Sequence, residues 1–400
     1  MALPFAGVRV IDMASVYAAP CAAMYLGDLG ADVVKLEPPE GDQCRQLYAF
    51  SDPADLSKPF VALNRNKRSV VVDIRKREGL AVLYRLATWA DVFVINTRPG
   101  VAERRKIGYE HLRRVNPRLV YCALTAFGST GPYAHLGGYD VVMQAQSGIF
   151  GVRRMPDGAP IPAPVMVADF SSAIMLAFGI SAALYAREKT GEGTKVETSL
   201  LAGALAMQAY PLVSAGGASA EDNRKFFGLY SSYPCADGQY IVICALTNPQ
   251  FRSLCQVLAV PHVADDPDFS SHTKRVQRSP QIHGLLEGLF AMEPCAHWIE
   301  RLRAVGVPCA PVVSQDQLFH DPHIRQSNLL VDTPYPGVGT VSSFGFPLAF
   351  SNSQASVRRP APRLGEHTLE VLGEVGYTLD EIEALRRMGV IQPLTTQGGV

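Results

Sequence analysis

Among the 37 acidic residues of this 400-residue chain, Asp169 has the most suggestive surroundings. It sits in Val165-Met-Val-Ala-Asp-Phe-Ser-Ser172, directly before a long apolar stretch and with few charged neighbours. Two readings fit that pattern. As an N-cap, its side chain would accept from the free N–H groups of a helical first turn. As a reactive group, it would be held ionised by the helix dipole, and an ionised carboxylate can act as a covalent nucleophile. The sequence also carries two basic clusters, Asn64-Arg65-Asn66-Lys67-Arg68-Ser69 and Arg98, Arg104, Arg105 and Lys106. Arginine forks and lysine point charges suit phosphate, so both are candidate phosphate clamps; the alternative is a solvated surface patch. Neither cluster is interleaved with aromatic residues, which argues against single-stranded nucleic acid.

Other chemistries are disfavoured by spacing. Glu37 ends a predicted strand as a ribose-binding acid would, yet Met13–Pro20 contains no glycine, so the close pyrophosphate approach of a dinucleotide fingerprint is missing. Neither a nucleophile elbow nor a Walker glycine loop occurs. His320-Asp-Pro-His323 is broken by its proline and reads as a turn, and no metal site is expected. The eight cysteines contain no C-x-x-C pair and read as reduced thiols of a cytosolic protein.

The elements that must position these groups follow from hydrophobic periodicity. Short β-branched runs at Val8–Asp12, Ala31–Glu37, Ser69–Ile74, Asp91–Asn96 and Leu119–Thr125 alternate with helical patterns near Arg77–Ala90 and Val101–Val115. That alternation predicts a doubly wound α/β domain with a parallel sheet, whose ligands bind at the carboxyl ends of the strands. Phe170–Arg187 is predicted as an Ala-rich apolar helix and Lys195–Leu200 as a strand. Ser214–Lys225 reads as a linker, and strand Gln239–Ala245 with helices Pro249–Leu258, Pro280–Phe290 and Cys295–Val305 reads as a smaller α+β domain. The expected division is residues 1–213 for the large domain, 214–226 for the linker, 227–328 for the small domain, and 329–400 for a linker and a return to the large domain. Hydrophobic residues make up 48% and charged residues 18%, enough for a core and unlike a disordered chain. Lys+Arg 37 balance Asp+Glu 37, so no global field favours nucleic acid or an anionic membrane, and any anion site must be local. Met13–Leu26 follows Asp12, contains Pro20 and lacks a basic leader, so it is not read as a signal peptide. With no other run near the ~20 apolar residues of a membrane span, a soluble cytoplasmic protein is expected.

Taken in order, a set of short motifs resembles the family III coenzyme A transferases, the CaiB/BaiF-type group that includes formyl-CoA transferases and 2-methylacyl-CoA racemases. They include Gly30-Ala-Asp-Val-Val-Lys-Leu-Glu37, Gly41-Asp42 with Arg45, Leu63-Asn-Arg-Asn-Lys-Arg-Ser69 and Asn96-Thr-Arg-Pro-Gly100. Phe127-Gly-Ser-Thr-Gly-Pro132, Gly138-Tyr-Asp140, Ala168-Asp-Phe170, Gly306-Val-Pro308 and Leu364-Gly-Glu-His-Thr368 continue the match. The resemblance implies that Asp169 is the nucleophile, forming an acyl-aspartyl anhydride and then an aspartyl-CoA thioester. It implies coenzyme A as substrate, with no permanently bound cofactor, contacted by Val16, Ala18, Asn96 and Arg104, with Lys67 and Arg68 helping. Arg98 and Arg105 join them from the second basic cluster, and Tyr17, Arg45 and Tyr139 are expected to line the acyl site.

The resemblance further implies a carboxylic acid acceptor, a donor such as succinyl-CoA, and an interlocked homodimer. Two departures matter. Glu37 is followed by Pro38-Pro39, where some members carry a phosphate-binding arginine, and Leu246-Thr-Asn-Pro-Gln250 stands where oxalate-using members have a glycine-rich loop. A racemase is the first alternative, but racemases of the family carry histidine in Gly-His-Asp, and Tyr139 is a poor base at neutral pH. A non-catalytic acyl-CoA-binding protein is the second, and the retained Asp169 motif argues against it.

Overall fold

The computed structural model describes residues 2–50, 55–151, 154–213 and 229–392. The chain divides into two compact units, Met1–Gln208 with Pro322–Val400, and Ala209–Asp321. The expected linker at 214–226 lies outside the described residues.

The first unit opens as alternating strand and helix: β1 (Arg9–Asp12), α1 (Ala18–Asp28), β2 (Asp32–Glu37), α2 (Lys58–Asn64), β3 (Lys67–Val71), α3 (Arg77–Trp89) and β4 (Val92–Ile95). It continues through α4 (Val101–Arg104), α5 (Tyr109–Val115), β5 (Val120–Thr125), α6 (Asp140–Gln146), α7 (Val167–Thr190), β6 (Lys195–Ser199) and α8 (Leu200–Ala206). The six strands pair in parallel in the order β3-β2-β1-β4-β5-β6. Because the order reverses between β1 and β4, the loops after these two strands open a crevice at the sheet's carboxyl edge.

Successive side chains of each strand supply two apolar faces. Val10, Val33, Val92, Val94, Val120 and Cys122 face α1 and α7, while Ile11, Val34, Phe93, Ile95 and Tyr121 face α3 and α5. Burial on both faces explains why these strands read as nearly continuous β-branched runs.

Three boundaries differ from the sequence reading. The helix expected over Val101–Val115 is two pieces, separated where Lys106 takes φ +61° and Gly108 precedes α5. Strand β3 begins at Lys67, so half of the presumed basic loop lies inside the sheet. Helix α7 begins at Val167 with Met166 as its N-cap and ends at Gly191 in a left-handed C-cap, φ +75°. Asp169 is therefore the third residue of the helix and does not cap it. By length and apolarity α7 could cross a membrane, yet half of that apolar stretch is buried within this fold.

The second unit contains the antiparallel sheet β7 (Tyr230–Pro234), β8 (Tyr240–Cys244) and β9 (Cys309–Pro311), in that order. Helices α9 (Asn248–Val257), α10 (Pro261–Asp265), α11 (His272–Gln277), α12 (Ser279–Phe290), α13 (Cys295–Ala304) and α14 (Gln315–Leu318) complete it. Tyr233 stacks on Phe290 at 5.2 Å between ring centroids, and Phe290 meets the Trp298 edge at 5.6 Å in the core. The Leu246–Gln250 stretch starts α9, where Thr247 and Gln250 form a reciprocal capping box.

The chain then re-enters the first unit through α15 (Pro322–Gln326) and the hairpin β10 (Leu330–Tyr335)–β11 (Gly339–Phe344). Helices α16 (Thr368–Glu374) and α17 (Leu379–Arg387) follow. They place Val371, Leu372, Ile382 and Leu385 on the second face of the parallel sheet.

Candidate active site

At the reversal of strand order, a cavity of ≈ 220 Å³ is lined by Ser15–Ala18 after β1, Asn96–Pro99 after β4, and Thr125 and Ala126 at the end of β5. Gln43, Leu124, Leu136–Tyr139, Leu200 and Asp169 complete its wall. A neighbouring cavity of ≈ 380 Å³ shares Ser15, Gln43, Asn96 and Thr97 with it and extends past Leu36, Pro38, Val72, Ile74, Arg75 and Arg105. The two cavities share a wall.

Asp169 is 8% exposed. Its backbone N–H donates to Asp140 Oδ2 at 3.0 Å, so Asp140 of α6 satisfies a donor in the first turn of α7. Asp140 also accepts from Gln144, whose Oε1 accepts the Ala163 N–H at 2.9 Å, while its amide donates to the Val165 carbonyl. These contacts fix the segment leading into α7. Among the described residues, no hydrogen bond reaches the Asp169 carboxylate itself. Burial, and then the Asp140 charge, push its pKa up to about 7. Desolvation and the like charge of Asp140 thus oppose the ionisation that the helix dipole favours.

Val16, Tyr17, Ala18, Asn96, Arg98 and Tyr139 all line the first cavity beside Asp169, and Arg105 lines the second. The Arg98 guanidinium lies against Gly137, where an added Cβ would come within 2.9 Å of it. The N-terminal N–H groups of α1, at Ala18 and Ala19, have no intrahelical partner, and the Tyr17 side chain does not cap them. Burial first, then the neighbouring Cys44, Asp169 and Tyr48, raise the Tyr17 pKa, so its phenol stays protonated at neutral pH.

Three expected contact residues are structural instead. Lys67 is fully buried and donates to Asp12 Oδ2 at 2.7 Å, the Pro20 carbonyl at 2.8 Å and Asn64 Oδ1 at 2.8 Å. Arg68, on the opposite face of β3, pairs with Asp32, Glu370 and Glu374. Arg45 forms a two-pronged pair with Glu37, 2.8 and 2.7 Å, and lies 3.7 Å over the Phe60 ring. The same pairing, with a 2.7 Å bond from Ser69, occupies Glu37 and removes the ribose-binding reading. Arg104 is on α4 at the surface, outside the lining of both cavities.

Sequence reasoning passed over Gln144 and gave Asp140 and Asp42 no role of their own. It quoted Asp140 and Asp42 only as parts of motifs, and nothing in the sequence marks them as partners of positions 169 and 16.

A doubly wound sheet whose switch-point crevice holds an undonated carboxylate defines an α/β protein with a ligand site at the carboxyl edge of its strands. The chain belongs to CoA-transferase family III, whose family model matches residues 5–368. It is accordingly a transferase that moves coenzyme A between an acyl-CoA and an acid. Its relatives include succinyl-CoA:glutarate CoA-transferase of Mus musculus, 33% identical over 402 residues, covering 98% of this chain and 92% of that protein. Succinate–glutarate CoA-transferase of Agrobacterium fabrum is 34% identical over 93% of this chain and 96% of its own length. Among solved structures, Rv3272 from Mycobacterium tuberculosis aligns with a TM-score of 0.82 at 30% identity, over 92% of this chain and 98% of that one. A CaiB/BaiF family protein from Brucella suis aligns with a TM-score of 0.78 at 29% identity, over 94% of this chain and 100% of that one.

Proposed function

We propose that Asp169 is the covalent nucleophile and that transfer runs through an anhydride and an aspartyl-CoA thioester. The observation carrying this reading is the Asp169 carboxylate: nearly buried, free of hydrogen-bond donors, and part of the cavity wall. Its oxygen attacks the thioester carbonyl, the C–S bond breaks, and CoA thiolate leaves from a mixed anhydride. The thiolate then attacks the Asp169 carbonyl, forming aspartyl-CoA and releasing the first acid. The acceptor carboxylate reverses both steps and leaves as the new acyl-CoA. No net proton or electron is exchanged, and each intermediate conserves the thioester's energy, so the chemistry calls for no metal. The free N–H groups at the start of α1 are suited to stabilise the tetrahedral oxyanions.

The nucleotide end of CoA fits the larger cavity, where Arg105 offers a cation to phosphate, Arg75 is paired with Asp73 and Glu40, and Pro38 stands where some members of the family carry an arginine. The pantetheine arm would pass Ser15 and Asn96 to reach Asp169. Succinyl-CoA is the donor of choice, matching the names of the glutarate-using relatives. The acceptor is a carboxylic acid, in keeping with the names of these relatives. The enzyme acts in the cytoplasm as an interlocked homodimer, a reading supported by the exposed apolar side chains Ile174, Phe178 and Tyr185 along α7.

Incubation with succinyl-CoA and a panel of acids, with mass detection of new thioesters, tests the activity. Asp169→Ala should abolish it, and an acceptor labelled with heavy oxygen should leave one labelled oxygen on the peptide containing Asp169. An active Asp169→Ala enzyme would sink the mechanism. Deuterium uptake at C2 of a 2-methylacyl-CoA without any acceptor would instead identify a racemase, and tight CoA binding without either reaction a binding protein.

A further inference from the structure

The loop between β1 and α1 forms one wall of the cavity, and side chains hold every backbone polar group of Ala14, Ser15 and Val16. The Ala14 N–H donates to Asp12 Oδ1 at 3.0 Å, and its carbonyl accepts from Lys35 Nζ at 2.7 Å. Asn96 takes both Ser15 groups, accepting from its N–H at 3.0 Å and donating to its carbonyl at 2.6 Å. The Val16 N–H donates to Asp42 Oδ1 at 3.1 Å, and its carbonyl accepts from Cys44 Sγ at 3.3 Å.

Val16 needs this restraint. Its φ is +73°, the left-handed region that a β-branched residue rarely enters, and such conformations persist only where the surroundings over-determine them. The restraining groups are themselves locked underneath. Lys35 Nζ lies 2.9 Å from Asp42 Oδ2 and 3.8 Å from Asp12 Oδ2, and Lys67 ties Asp12 to the Pro20 carbonyl in the first turn of α1. Lys35, Asp12 and Lys67 are 0% exposed and Asp42 3%, so two cations and two anions are kept out of water together. A buried ionic network is weak support for stability but can specify one local geometry.

We infer that Lys35 and Asp42 are positioning residues that clamp Val16 in its left-handed conformation and so aim the Tyr17–Ala18 backbone at the Asp169 cavity. The inference rests on the reading that chemistry occurs at Asp169, and its own signature is separable from that reading. Asp42→Ala releases the Val16 N–H, the Cys44 N–H and the Lys35 ammonium, letting Val16 relax toward negative φ and drawing the start of α1 out of line. Transition-state donors misplaced by an ångström cost about 100-fold in kcat, and that loss is expected here. Glycine adopts positive φ without strain, so Val16→Gly in the Asp42→Ala background should restore kcat by at least about tenfold. A role of Asp42 in fold stability alone gives no reason for rescue at position 16.

The experiment measures kcat, KM for the acyl-CoA and the thermal midpoint of wild type, Asp42→Ala, Val16→Gly and the double variant. Rescue of kcat, without a matching rise of the midpoint, sustains the inference. Folded variants with no rescue overturn it. If Asp42→Ala does not fold, Cys44→Ala, which frees only the Val16 carbonyl, replaces it: a fall in kcat that Val16→Gly reverses sustains the clamp, and no fall or an unrescued fall overturns it. An Asp169→Ala enzyme that still transfers CoA would instead overturn the nucleophile reading, whatever the rescue shows.

Discussion

At the scale of single residues, the site is governed by two carboxylates on two helices. Asp140 holds the Asp169 N–H and, after burial, its charge adds to the rise of the Asp169 pKa, so it touches both the position and the titration of the proposed nucleophile. With Asp169 near pKa about 7, kcat/KM should fall about tenfold per pH unit below that value and level off above it, because only the ionised form attacks. Asp140→Asn keeps an acceptor for the N–H and removes the charge, so the break in the pH–rate profile should move down. A break that stayed in place would separate Asp140 from the titration. The same shift carries a stability cost. A carboxyl whose folded pKa lies above its unfolded value stabilises fully only below the unfolded pKa, and that contribution is lost as pH rises through the folded one. Asp169→Asn, which cannot ionise, should therefore gain on the order of 3 kcal/mol at about pH 8, less at about pH 5 and nothing near pH 3, as read from denaturant midpoints. Asp169 was legible in the sequence as an isolated carboxylate before an apolar helix. Its environment was not, because Asp140 lies 29 residues away and desolvation depends on packing.

At the scale of elements, α7 carries the proposed nucleophile and packs against α8 through Gly203. An added Cβ at Gly203 of α8 would stand 2.3 Å from Ser172 Oγ and 2.7 Å from Ser171 Oγ, just beyond Asp169 on α7. Gly203→Ala should therefore cost about 1–3 kcal/mol through overpacking and lower kcat by more than the stability loss explains. Gly284 on α12 has nothing within 4 Å of its added Cβ, so Gly284→Ala should stabilise by about 0.4–1 kcal/mol and leave turnover unchanged. Equal effects of the two substitutions on kcat would refute the role given to α8. Strands β1, β2, β4 and β5 could be read from sequence because both of their faces are apolar. Strand β3, expected over Ser69–Ile74, starts two residues earlier because Lys67 and Arg68 look like a solvated loop until their partners at 12, 32, 370 and 374 come together in space. Buried ion pairs of that sequence separation leave no local signal, and the same blindness turned Lys67, Arg68 and Arg45 into expected ligand contacts.

At the scale of the whole molecule, an interlocked homodimer predicts a particle of twice 43.3 kDa by light scattering. Subunits from two differently tagged preparations should then exchange only after unfolding; free exchange on mixing would exclude interlocking. Chain order has a consequence for synthesis as well. Residues that cover the second face of the parallel sheet, from Val371 to Ile391, and two of the three carboxylates on Arg68 are encoded after the whole of Ala209–Asp321. On the ribosome the six strands emerge with part of one apolar face, the part that α16 and α17 cover, still open and a guanidinium short of its counter-charges. Such a nascent chain is a ready client for chaperones, and its first unit can close only once Ile391 has emerged. Translation arrested before Thr368 should yield a chain that proteases cut readily within β1–β6, whereas arrest beyond Ile391 should protect it.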